Sequence, residues 1–128
     1  MALLEVQQTT RNNLTQIVFQ DVDMNDSFQA DWFLNTGKEC VIFKAKREMS
    51  ATPIAMVYPL LIDGNLGVAD RQILIFENDT DPAPAGSTAF FGPFPPSEWN
   101  DDDGFVFWQY LAGLAHDDDL QVAVIRIK

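Results

Sequence analysis

Of the residue types that most often carry chemistry, this sequence has almost none: one cysteine, Cys40, and one histidine, His116, in 128 residues. A single thiol excludes an intramolecular disulfide framework and any multi-thiolate metal site. A single imidazole leaves a zinc site without a second nitrogen ligand. It also precedes Asp117, Asp118 and Asp119, whose carboxylates favour its protonated form without positioning a nucleophile. Neither a spaced glycine triplet nor a Gly-Lys-Ser/Thr phosphate cradle occurs. The longest apolar run, residues 54–62, contains Pro59 and falls far short of the roughly 20 residues a membrane helix needs. No basic and apolar signal-peptide pattern stands at the N-terminus. Positive charge is scarce too, with 8 Lys and Arg against 19 Asp and Glu, a formal charge of −11. A field of that sign repels phosphate backbones and anionic membranes. The expectation is a chain with no enzymatic activity, cofactor or metal, and with neither nucleic acid nor membrane as partner.

What the sequence does contain is a 47% hydrophobic fraction arranged in short period-two blocks. Strand-forming blocks fall at residues 14–20, 27–34, 39–46, 52–62, 71–77, 87–91, 105–111 and 120–127, separated by turn formers such as Asn35-Thr36-Gly37 and Asp63-Gly64-Asn65. In the second block Phe28, Ala30 and Trp32 share a face. In the third, Val41, Phe43 and Ala45 form a wholly apolar face opposite Cys40, Ile42 and Lys44, a pattern suited to a sheet covered mainly on one side. Pro59 makes the fourth an edge strand or one that breaks near its end. About eight strands at this spacing predict an all-β fold, a two-sheet antiparallel sandwich of jelly-roll type. Residues 1–128 read as one domain with a short N-terminal arm over about residues 1–12, and no helix of useful length is expected.

The carboxylates deserve a metal test. Asp21-Val22-Asp23-Met24-Asn25-Asp26 begins like a calcium loop, but its sixth position is Asp26 instead of glycine and its twelfth is Trp32 instead of glutamate. The triplets 101–103 and 117–119 read as solvated turns that keep sheet edges from aggregating. The most unusual composition is residues 90–100, where three prolines alternate with aromatics. Phe91, Phe94, Pro95, Pro96 and Trp99 are the candidate protein-contact residues, as a stiff hydrophobic surface. The competing reading is that Phe94 and Trp99 plug one end of the sandwich.

Several stretches together resemble a family of small tailed-bacteriophage structural proteins. They are Thr10-Arg11-Asn12-Asn13-Leu14-Thr15, then Asn35-Thr36-Gly37-Lys38, then residues 63–71 ending in Val68-Ala69-Asp70-Arg71. Pro84-Ala85-Gly86, the Gly92-Pro93-Phe94-Pro95-Pro96 segment with Trp99-Asn100-Asp101, and the closing strand 122–127 complete them. This resemblance implies a virion protein, a capsid decoration or cement protein on the outer capsid surface. Its partner would be the major capsid protein, and it would act as a homotrimer. Alternatives are a neck, tail or fibre component, or a carbohydrate-binding sandwich using Trp32, Trp99 or Trp108 to stack on sugar.

Overall fold

The computed structural model describes residues 2–8, 17–22, 30–48, 54–57, 61–62, 65–66, 72–76, 84–100, 103–112 and 119–126. Its strands are β1 (Ala2–Leu3), β2 (Val6–Gln8), β3 (Gln20–Asp21), β4 (Ala30–Leu34), β5 (Glu39–Ala45), β6 (Ile54–Val57), β7 (Leu61–Ile62), β8 (Asn65–Leu66), β9 (Gln72–Leu74), β10 (Thr88–Phe91), β11 (Phe105–Ala112) and β12 (Leu120–Arg126). One helical turn, α1 (Pro96–Trp99), interrupts them. The first sheet has the order β1-β4-β11-β6-β9 and the second β10-β5-β12-β2, with β3 also pairing β12. The chain is therefore an all-β protein of two sheets, as its alternation predicts. Twelve strands are described where eight blocks were expected, because β7 and β8 form a separate hairpin-sized pair and the N-terminal segments add short strands.

The two sheets face each other across one aromatic core. Phe43 of β5 meets the Trp108 ring of β11 edge-on at 5.9 Å, and Phe33 of β4 lies 5.9 Å from the same indole. Val41, Phe43, Ala45, Val106, Trp108, Val122 and Val124 are buried here by strict alternation along their strands. Each such aliphatic or aromatic side chain contributes about 1.5–3 kcal/mol on burial.

Several expectations need correction. Residues 2–8, part of the segment read from sequence as an arm, supply β1 and β2, which add to both sheets by parallel pairing with β4 and β12. Leu4, buried between them, donates its N–H to Trp32 O at 2.7 Å. Parallel addition is possible because the segment pairs with strands far away in sequence, a relation no local pattern encodes. Among the described residues of the block at 14–20 a strand forms only at Gln20–Asp21, and residues 17–19 run as irregular chain. Gln7 explains this: its side-chain amide donates to Val18 O at 2.6 Å and accepts the Val18 N–H at 2.8 Å, taking the place of a ladder partner.

Residues 17–19 thereby become a strap across the outer face of the second sheet. Ile17 and Phe19 pack on Cys40, Ile42 and Ile125, and Lys44 Nζ sits 5.5 Å from the Phe19 ring centre. β5 is consequently buried on both faces, whereas one-sided cover was expected. β6 is interior, between β11 and β9, so the edge reading of its block fails. β6 is described over Ile54–Val57; Pro59, on which the alternative of a break near the strand's end rests, lies outside the described residues together with Phe28, Asp101, Asp102 and residues 113–118.

Candidate contact surface

The proline-rich segment leaves β10 through Gly92 and closes one end of the sandwich. Gly92 has φ +109, and an added Cβ would lie 2.9 Å from Glu39 O and 3.2 Å from the Cys40 Cα, so only glycine fits against the start of β5. The sequence-derived contact residues then separate into two groups. Phe94 is 6% exposed and packs on Phe33 at 6.0 Å and edge-on to Trp99 at 5.4 Å. Phe91 is half-buried and meets Phe43 at 5.8 Å. Phe94 and Trp99 pack together at this end, as the end-plug reading has it, and of the three aromatics only Phe94 is fully buried. Pro95 and Pro96 are exposed.

Polar side chains lock this end. Asn35, buried at the end of β4, donates through Nδ2 to Phe94 O at 2.9 Å and to Asn100 Oδ1 at 2.6 Å. Its Oδ1 accepts the Gly37 N–H at 3.1 Å, and its carbonyl accepts Asn100 Nδ2 at 3.1 Å. One amide thus ties the 35–37 turn, the proline-rich segment and the residue after α1 together. Beside it Glu39 is wholly buried, and its carboxylate accepts from Arg126 Nε at 2.7 Å, from the Thr36 hydroxyl at 2.7 and 2.8 Å and from the Thr36 N–H. Burial pushes the Glu39 pKa up. The hydrogen bonds from Arg126 and Thr36, with the Arg126 charge, outweigh it and hold the group below its ordinary value. Deeper in the core the Tyr110 hydroxyl donates to Asp31 Oδ2 at 2.5 Å. The Glu39 carboxylate is satisfied by fixed partners, and both groups are built into the fold.

The thiol of Cys40 lies under Ile17 and Phe19, and burial followed by the Glu39 charge raises its pKa, which suits an inert side chain. Among the described residues no cluster of three or more His, Cys, Asp or Glu is placed to hold a metal. A groove of about 220 Å³ opens beside β12 between β2 and β3, lined by Leu4, Gln7, Val18 and Ala123 among others. It is smaller than the roughly 300–1,000 Å³ of typical small-molecule pockets. Of the three tryptophans expected to stack on sugar, Trp108 is core, Trp99 is half-buried with an edge contact to Phe94, and Trp32 is half-buried beside Phe107.

Among the described residues, exposed apolar side chains lie elsewhere: Val18 on the strap, and two further places on the sheets. Because Asp31, Phe33, Val106, Trp108 and Tyr110 point inward, their neighbours in sequence point out from the first sheet. Register sets Leu3 beside Trp32, Trp32 beside Phe107 and Leu34 beside Phe105. The Trp32 and Phe107 rings lie near-parallel at 5.9 Å, while Leu3 and Leu34 are 58% and 47% exposed. The second place is β10, whose Phe90 is 67% exposed. Alternation in Thr88-Ala89-Phe90-Phe91 carried that signal, since Ala89 and Phe91 pack on the core. No protein-family model, curated protein or solved structure matches this chain.

Proposed function

We propose that this chain is a bacteriophage structural protein, a capsid cement or decoration protein that binds the assembled major capsid lattice and stabilises the head. The observation that carries the reading is the coexistence of strong acidity with an outward apolar ridge. A chain of charge −11 presents Leu3, Trp32, Leu34, Phe105 and Phe107 together on one sheet face. Exposed apolar area on an otherwise charged protein marks a protein-contact face. The acidity suits the outer capsid surface and disfavours contact with packaged genome. Resemblance to small tailed-phage structural proteins along nearly the whole sequence supports the same assignment, and with it a homotrimer at three-fold positions of the lattice.

A cement protein needs no chemistry of its own. Binding the assembled lattice and not free subunits shifts the equilibrium toward assembly by mass action. A rigid sandwich loses little conformational freedom on docking, which favours this use.

Co-sedimentation with expanded, undecorated capsids tests the reading. Saturable binding at micromolar concentration, weakened at least tenfold by Leu34→Asp, is the expected result. Absence of binding to capsids, or binding to tails alone, overturns it.

A further inference from the structure

Among the described residues the edge of the second sheet at β10 is open, and apart from its shortness it lacks the devices that normally blunt an edge. Its register with β5 runs without a break from Thr88 opposite Lys44 to Phe91 opposite Val41. It contains no charge, no proline and no bulge. The other edges of this sheet are occupied differently: β3 carries Asp21, which pairs with Lys46 at 3.7 Å, and Gln8 of β2 turns back to Arg126 O.

The direction of the free groups follows from the ladder. Ala45 N–H donates to Ser87 O at 2.8 Å, which makes Ser87 a hydrogen-bonded partner of Ala45. Alternation along an antiparallel pair then aims the N–H and C=O of Ala89 and Phe91 at β5, and those of Thr88 and Phe90 away from it. The edge offers two donors and two acceptors, with the Phe90 ring exposed beside them.

Charge decides what fits there. Residues 82–97 are the longest stretch of the sequence without a charged side chain, in a chain of net charge −11. The edge makes no local demand for ion pairs, while the field of the whole molecule draws in cationic segments and repels a second copy of itself. We propose that the open edge of β10 takes up an extended segment of a capsid subunit as an added strand. That segment is apolar where it lies against Phe90 and flanked by lysine or arginine. Main-chain hydrogen bonds to Thr88 and Phe90 supply affinity, and the flanking charges supply the approach. The inference rests on the capsid reading only for the source of the strand.

The test uses the full chain and a synthetic peptide of alternating valine and threonine flanked by lysines, with a glutamate-flanked twin. Two-dimensional NMR is expected to show the amides of Thr88 and Phe90 shifting with the lysine peptide. Affinity for the glutamate twin should be at least about tenfold weaker, and binding should fall between about 50 and about 500 mM salt. Thr88→Pro removes an N–H that β5 does not use, so the variant should keep the wild-type circular dichroism spectrum and lose peptide binding. No shift at these amides up to about 1 mM peptide overturns the inference. So does binding that survives Thr88→Pro, or equal binding of both peptides. A dimer in sedimentation that Thr88→Pro dissolves would assign the edge to a second copy instead. Capsid binding that persists in Thr88→Pro sinks this inference and leaves the capsid reading standing. Peptide binding without any capsid binding does the reverse.

Discussion

Replacing Glu39 by glutamine isolates the most heavily bonded carboxylate in the described structure. The substitution keeps the side-chain shape and leaves Thr36 an acceptor, but it sets an amide NH2 against Arg126 Nε, which now donates at 2.7 Å. A hydrogen bond between charged groups contributes about 1.5–3 kcal/mol. Removing one member of a fully buried ion pair costs about 3–5 kcal/mol. Arg126 is one-third exposed and regains water, which lowers the second figure. Glu39→Gln should therefore destabilise the protein by about 2–4 kcal/mol, lowering the urea midpoint by about 1–2 M with little change in slope. The difference must also depend on pH. The folded carboxyl titrates below the ordinary value of 4.5, so its stabilisation is present in full above that value. It is lost as pH falls through the folded pKa. Urea titrations of both proteins at neutral pH and across the acid limb read this directly. A loss below about 0.5 kcal/mol at neutral pH, within the range of an ordinary surface change, would refute the reasoning. An equal loss at every pH would refute it as well.

Three further outcomes follow from the same packing. Phe94→Ala should cost about 3–5 kcal/mol as a core truncation, while Pro95→Ala next to it should stay within about 0.5 kcal/mol, both read by thermal unfolding. Gly92→Ala should destabilise by more than about 1 kcal/mol, since its Cβ would meet backbone atoms of Glu39 and Cys40 at positive φ. A thiol reagent should label native Cys40 slowly, and Phe19→Ala, which opens the strap over it, should speed labelling about tenfold; unchanged rates would mean that the strap does not protect the thiol.

How much of this was legible in the sequence depended on how local the cause was. Blocks 39–46, 105–111 and 120–127 match β5, β11 and β12 to within a residue at most ends, because alternating β-branched and aromatic residues bury one face whatever the partner. The strap at 17–19 has the same composition yet forms no strand, since a glutamine ten to twelve positions earlier captures the Val18 backbone. The inward positions of β4 include Asp31, a residue polarity assigns to solvent, and its partner Tyr110 is 79 positions away. The same limit applied to the surface. Hydrophobicity drew attention to Phe94, which the core consumes, and to Trp99, which is half-buried, but it did not join Trp32 to Leu3 and Leu34 as a ridge or pick out Phe90 from its segment. Those are exposed only because distant strands set their faces outward.

The central claim is that this acidic sandwich is a capsid-binding structural protein, and electron cryomicroscopy of virions carrying the chain tests it most directly. The account predicts density for the two-sheet sandwich on the outer head surface at three-fold positions, with the Leu3, Trp32 and Leu34 face or the β10 edge turned toward the lattice. Density confined to the neck, tail or fibres, or heads bare of the protein, would contradict it.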